Sequence, residues 1–405
     1  MRLPHGLRAL RHRDYRLFFG GQLVSQVGTW MQSLAQSWLV LELTGSPFKL
    51  GLIGALQFGP MLLFSFHAGA IADRVHKKRM ILFTQTALML QAFAMALLCW
   101  SGRVQYWHVA VLAFCYGLAS TLDLPVRQSF VVEMTGKEDL ASAVALNSAG
   151  FNGARMIGPA VAGVLVAHVG VAPAFALNGL SFLGVLLALN ALRAEGLPRP
   201  HGEASISEDI AAGLRYALHA PLIRLLLCLL LFIGVFVVNH SVMVPLLARH
   251  ALGVGARGFG LLMASLGIGA VAGALSVSFV GRRPRLRWIV GSACLSAVVT
   301  VLLAAARDFR TAALLLSLLG FFQVAFMALC NTTLQAESPD ALRGRILSLY
   351  AFVFAGITPI GSLLMGSLAQ WFGTSTAYAV GGGCGLAGVL GLSVWEWSRR
   401  PARGS

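Results

Sequence analysis

Two charged side chains stand alone within long apolar runs of this chain: Asp123 in the run 107–132 and Arg155 in the run 140–167. An ionised group inside a bilayer is costly, which makes it a functional candidate by default. Asp123 is the only acid counted inside the predicted spans, and so the candidate site for a transported proton. Its other reading is an ion pair with Arg127, one helical turn further on. Arg155 is placed to bind an anionic group, or to keep the local potential positive so that a nearby carboxylate releases its proton. At 1.5 Å per residue, Asp123 falls about 24 Å below the outer end of its span and Arg155 about 22 Å above the inner end of the next. A direct pair between them is therefore not expected.

Uncharged polar residues add to this. In the first apolar run, Gln22, Ser25, Gln26, Thr29, Ser33, Gln36 and Ser37 fall within about 120° of one another at 100° per residue. Lipid cannot satisfy such a stripe, so it must face protein or water. We expect it to line a substrate cavity, with helix packing as the alternative. Asn152, one turn before Arg155, would share that cavity, as would Asn239 and His240 further along. His67 reads as a local hydrogen-bonding residue. Trp30, Trp38, Phe58 and Tyr350 could stack on an apolar substrate, although most aromatics will be lipid belt or core.

Other chemistries lack their residues. No nucleophile–base constellation appears, and no phosphate-binding loop that would let ATP drive the protein directly. We therefore expect no enzyme and no cofactor. Cys99, Cys115, Cys228, Cys294, Cys330 and Cys384 are scattered singly without metal-ligand spacing, and read as small packing residues. The net charge of +16 could suggest a nucleic-acid partner, but the basic residues sit in short bursts between apolar runs rather than on one hydrated face. With 57% apolar and 11% charged residues, the chain could not cover the surface of a soluble protein. The Arg-rich residues 1–16 run into an apolar stretch too long for a cleavable signal.

The elements that must position these groups are membrane helices of about 20 residues each. Predicted spans run over 16–41, 48–71, 80–100, 107–132, 140–167, 172–192, 222–248, 258–280, 288–306, 311–335, 344–370 and 375–396. Twelve spans put both termini on one side. Only Lys49, Arg103, Arg249, Arg257, Arg307 and Arg310 fall on the opposite side and Arg155 within a span, which leaves 24 of the 31 basic residues on the side of the termini. That asymmetry makes the terminal side cytoplasmic. The longest hydrophilic stretch, 193–221, contains a helical segment over Glu208–His219 and separates an N-terminal bundle, 1–192, from a C-terminal bundle, 222–405.

The halves repeat. Gly158, Gly163 and Gly170 recur as Gly361, Gly366 and Gly373, each 203 residues on. Gly69 and Glu133 recur as Gly273 and Glu337 at an offset of 204. Parallel six-span repeats about an axis normal to the membrane are a known transporter architecture.

Two motifs carry a family resemblance. The loop after the second span, Gly69-Ala-Ile-Ala-Asp73-Arg74-Val-His-Lys77-Lys78-Arg79, resembles the signature G-x-x-x-D-R-x-x-R/K-R/K of the major facilitator superfamily. The resemblance implies an all-α fold of twelve helices in two pseudo-symmetric bundles, and a gate in which Asp73 faces the start of span eleven. Gly69 would permit close helix approach, while Arg74, Lys77 and Lys78 would anchor to lipid phosphates. The second half has Val277 in place of Asp73. In span five, Ala154-Arg155-Met-Ile-Gly158-Pro159-Ala-Val-Ala162-Gly163 is similar to the g-x-x-x-G-P-x-x-G-G motif of exporters and antiporters, with alanine at two glycine positions. Pro159 frees the carbonyl of Arg155 and favours a kink. The stretch from Asp123-Leu-Pro125-Val-Arg127-Gln128 to Asn147-Ser148-Ala-Gly-Phe151-Asn152 is similar to the branch of siderophore and macrolide exporters. The resemblance implies a bacterial inner-membrane exporter of amphipathic small molecules by alternating access and proton antiport. The fold also carries importers and a lysophospholipid transporter, and a polytopic sensor without transport is a further alternative.

Overall fold

A computed structural model of the chain describes residues 5–136, 138–197, 214–277, 286–339 and 342–398. Most of the linker segment, 198–213, lies outside these residues, as do the basic residues Arg282, Arg283 and Arg285. Among the described residues the structure is helical, without strands. A short 3₁₀ segment, His5–Arg11, precedes α1 (Arg13–Thr44), α2 (Pro47–Arg74), α3 (Lys77–Trp100), α4 (Tyr106–Thr135), α5 (Leu140–Val169) and α6 (Ala172–Ala191). The second half contains α7a (Pro221–Phe236), α7b (His240–Leu246) with a π-helical extension Leu247–Ala251, α8 (Ala256–Val277), α9 (Leu286–Leu303), α10 (Phe309–Glu337), α11 (Arg343–Phe372) and α12 (Thr374–Ser398).

Eleven helical segments among the described residues are long and apolar enough to cross a membrane, α7a through its π extension counting as one. The twelfth, α1, has 32 residues but falls outside that set. The stripe beginning at Gln22 lowers its hydropathy, and protein partners compensate for it.

The repeat is visible in the helix ends. Gly170 (φ 82°) follows α5 and its N–H donates to the carbonyl of Val166; Gly373 (φ 84°) follows α11 and donates to that of Ala369. Glycine adopts positive φ at little cost, and so stops both helices in the same way.

The chain forms two compact units. Unit 1 contains Met1–Gly45, Leu56–Glu203 and Gly255–Ala264; unit 2 contains Ser46–Ala55, Ala204–Val254 and Ser265–Ser405. The first turns of α8 thus belong with α5, and the first turns of α2 with α11. The cause is close glycine packing. A Cβ on Gly163 would lie 2.7 Å from Gly260 Cα, and one on Gly366 would lie 3.0 Å from Gly51 Cα. Small residues let helix backbones approach in this way where no water drives association.

The start of the chain is pinned to α5. The Ala9 N–H donates to Ser142 Oγ at 3.0 Å, which itself donates to the Gly6 carbonyl at 2.9 Å. Asp139 is paired with Arg11 at 2.7 Å and with His12 at 2.9 Å. The hydrogen bonds from Arg11 and His12 hold the Asp139 carboxyl below its ordinary value of 3.8. A lowered carboxylate pKa contributes stability above the unfolded value, and that stability is lost as pH falls through the folded one. We expect hydrogen-exchange protection of residues 6–12 to hold at neutral pH and to disappear below the ordinary carboxylate value. Equal protection at pH 7 and pH 2 would contradict this reading of the pairing.

Candidate transport site

Asp123 lies in α4 with 3% of its surface exposed. Its Oδ2 is 3.4 Å from Arg127 Nε, one turn along the same helix. Its Oδ1 accepts from Thr84 Oγ1 at 2.7 Å and from Gln85 Nε2 at 3.0 Å, both on α3. Arg127 also donates to Gln22 Oε1 on α1. An acid, a base and three uncharged groups therefore tie α1, α3 and α4 together. Other acids also lie within the helices: Glu42 accepts from Trp38 Nε1 at 2.6 Å, Glu133 pairs with Lys77 and Glu396 with Arg224. The expectation of a single interior acid is corrected accordingly: α1 and α4 extend beyond their predicted ends to include Glu42 and Glu133, and Glu396 closes the predicted span 375–396.

The polar stripe of α1 divides. Gln22, Ser25, Gln36 and Ser37 are buried, and Gln36 Nε2 donates to Gln57 Oε1 on α2 at 2.8 Å. Gln26, Thr29 and Ser33 are half-buried. Gln26 Oε1 has no partner although it is inaccessible to solvent. The ends of the stripe pack against α4 and α2, while Gln26 in its middle and the Nε2 of Gln22 keep unused hydrogen-bonding capacity.

The middle of α1 meets α5 at a clear register. Gly150 packs against Phe19 and Leu23, while Gly158 packs against Val27, Trp30 and Met31. The two helices therefore run parallel in unit 1, which places Gln26 level with Arg155. Arg155 is half-buried and donates from Nη2 to Asn152 Oδ1 at 3.2 Å. Trp30 and Phe151 stand edge to face, ring centroids 5.6 Å apart. Asn152 and Arg155 thus meet each other along α5. Asp123 belongs to a different cluster.

The motif after α2 is placed differently from the expectation. Among the described residues nothing comes within 4 Å of a Cβ built on Gly69, so no helix approaches it there. The side chain of Asp73 lies outside the described set, while Arg74 is exposed. Lys77 does not reach lipid phosphates. It is 0% exposed, 2.6 Å from Glu133 Oε1, and donates to the Leu197 carbonyl at 2.7 Å. Its backbone N–H donates to the Gly196 carbonyl at 2.7 Å. Lys78 donates to the Leu192 carbonyl at 2.9 Å. Both lysines fasten the start of α3 to the segment that follows α6, and Lys77 also ties it to α4 through Glu133.

The α5 motif is a packing seam. Ala154 and Ala162 are 0% exposed, and Gly158 and Pro159 are buried. A Cβ on Gly158 would lie 2.6 Å from Trp30 Cβ and 2.8 Å from the Val27 carbonyl oxygen. The repeat-related Gly361 meets α7a in the same way, 2.8 Å from the Val235 carbonyl oxygen.

Helix α7 breaks at the two residues singled out in it. Asn239 Nδ2 donates to the Val235 carbonyl at 2.7 Å, the acceptor that its own backbone N–H would use in a continuous helix. Asn239 is 2% exposed and its Oδ1 lacks a partner. His240 opens α7b and its Nε2 meets Gln323 Oε1 on α10. Discontinuous membrane helices commonly mark transporter binding sites.

One buried network was missed in the sequence. Gln32 Nε2 donates to Gln91 Oε1 at 2.9 Å, and Asn178 Nδ2 donates to Gln32 Oε1 at 2.7 Å, linking α1, α3 and α6. At 100° per residue Gln32 falls about 20° beyond the edge of the stripe. Amides recurring at similar depth in spans one, three and six were the available signal.

Residues 5–397 match the family described as "Transmembrane secretion effector". The multidrug efflux pump Tap of Mycolicibacterium fortuitum is 25% identical over 370 residues, covering 88% of this chain and 89% of that protein. The enterobactin exporter EntS of Escherichia coli is 26% identical over 393 residues, covering 96% and 93%. Among solved structures, a POT family transporter superposes with a TM-score of 0.77 at 11% identity, covering 96% of this chain and 97% of that one. With both motifs, the glycine seams and nearly the whole length accounted for, the chain belongs to the transmembrane secretion effector family and is an integral membrane protein of the major facilitator fold.

Proposed function

We propose that the protein exports amphipathic small molecules by alternating access, in exchange for protons, from the bacterial cytoplasm across the inner membrane, with both termini cytoplasmic. The linker at 193–221 would join two six-helix bundles in this scheme. Efflux is the shared activity named for the relatives Tap and EntS. The observation that carries proton coupling is the pair of buried Asp123 with half-buried Arg127, and the bond from Arg127 to Gln22 on α1. An ionised Asp123 holds Arg127, and Arg127 holds α1. Protonating the carboxylate removes the charge that Arg127 pairs with, and so loosens the contact between α1 and α4. That gives a local electrostatic event with two packing states, as a switch requires.

Asp123→Asn imitates the protonated state. Cells expressing the chain should expel an amphipathic dye such as ethidium, lose that efflux when an uncoupler collapses the gradient, and lose the pH dependence of dye exchange in the Asn variant. Efflux that survives the uncoupler would sink the antiport reading. Unchanged pH dependence in a folded Asp123→Asn protein would leave Asp123 with a packing role only.

A further inference from the structure

We infer that α1 and α5 form a subsite for an organic anion with an aromatic or apolar body; this rests on the exporter reading above. Arg155 has five N–H donors. Nη2 reaches Asn152, and Nε is buried without a partner. Arg127, Arg224 and Lys77 each have a carboxylate within 4 Å, whereas among the described residues none pairs with Arg155. A buried donor without a partner is unfavourable, so a ligand that accepts from Nε and supplies the missing negative charge gains more here than at a fully exposed arginine.

The surroundings define the rest of the ligand. Gln26, level with Arg155 on the parallel helix, has a buried Oε1 free to accept a hydrogen bond. Phe151, one turn before Arg155 on α5, is 47% exposed and edge-to-face with Trp30. A carboxylate, phenolate or sulfonate would meet the guanidinium as a charge-assisted hydrogen bond. A ring attached to it would lie along Phe151 and Trp30, and a hydroxyl or N–H on the ligand would reach Gln26. A cationic drug would place like charge against Arg155, so an exported cation such as ethidium would bind away from this subsite.

Three probes of nearly equal shape separate charge from bulk: 2-naphthoate, 2-naphthamide and 2-naphthylmethylammonium. Binding is measured by calorimetry on the intact protein in nanodiscs. Naphthoate should bind at least tenfold more tightly than the amide, and the ammonium most weakly. Arg155→Gln should erase the preference for naphthoate while leaving the amide unchanged, and Arg155→Lys should restore part of it. Naphthoate binding no tighter than the amide, or equal loss of both ligands in Arg155→Gln, would overturn the subsite. Uncoupler-sensitive ethidium efflux without a naphthoate preference would remove this inference and leave the exporter reading standing; the reverse result would support the subsite and remove the exporter reading.

Discussion

Gly158→Val should abolish recovery of folded protein, and Gly361→Val in the second half should do the same. At each position the added Cβ meets a neighbouring helix backbone: the Val27 carbonyl oxygen at 2.8 Å from Gly158, and the Val235 carbonyl oxygen at 2.8 Å from Gly361. A backbone cannot rotate aside as a side chain can, so the helices must separate. Overpacking costs about 1–3 kcal/mol where a core can adjust, and more where it cannot. Gly153→Ala is the control, because nothing lies within 4 Å of its Cβ and alanine is the better helix former by about 0.5–1 kcal/mol. The yield of monodisperse protein in mild detergent and its thermal midpoint distinguish the cases. Normal recovery of Gly158→Val would show that the α1–α5 seam is looser than the structure has it.

Those glycines also show what could be read in the sequence. Their constant offset marked a repeat, and the structure gives Gly158 and Gly361 the same use against α1 and α7a. The helices could be placed by apolar length, although α1 and α4 run on past the ends that apolar length sets. The break in α7 had no such signal. No glycine or proline stands at 237–239, and the helix opens because one asparagine side chain takes a backbone acceptor. Asp123 was legible as an interior charge but its partners on α3 were not, since Thr84 and Gln85 are ordinary residues until the fold brings them near. The same applies to Lys77. A lysine at a membrane edge reads as a topology signal, and its partner Glu133 is distant in sequence.

Lys77→Met should therefore destabilise the protein far more than Arg74→Gln, although both residues belong to one motif. Lys77 is fully buried and its ammonium serves Glu133 and the Leu197 carbonyl. Removing one member of a buried pair costs about 3–5 kcal/mol, because the other charge is left behind. Arg74 is exposed, where a charge change costs little. Combining Lys77→Met with Glu133→Leu should recover much of the loss, since both polar groups are then replaced by apolar ones. The thermal midpoints of the four proteins test this. Equal loss for Arg74→Gln and Lys77→Met would mean that the loop acts through its net charge instead.

Lys77 and Lys78 of the basic motif thus fasten α3 to its neighbours, the α5 motif lets helices approach, and the charges left to do chemistry are Asp123 with Arg127 and Arg155, which pairs with no carboxylate among the described residues. Proton-driven export through the first of these is the central claim. Everted vesicles loaded with the intact protein and given an inward-acid pH gradient test it most directly, with the accumulation of ethidium followed by fluorescence. The account predicts accumulation that collapses when the gradient is dissipated and that Asp123→Asn no longer couples to pH. Accumulation independent of the gradient, or gradient-driven accumulation undiminished in folded Asp123→Asn protein, would contradict it.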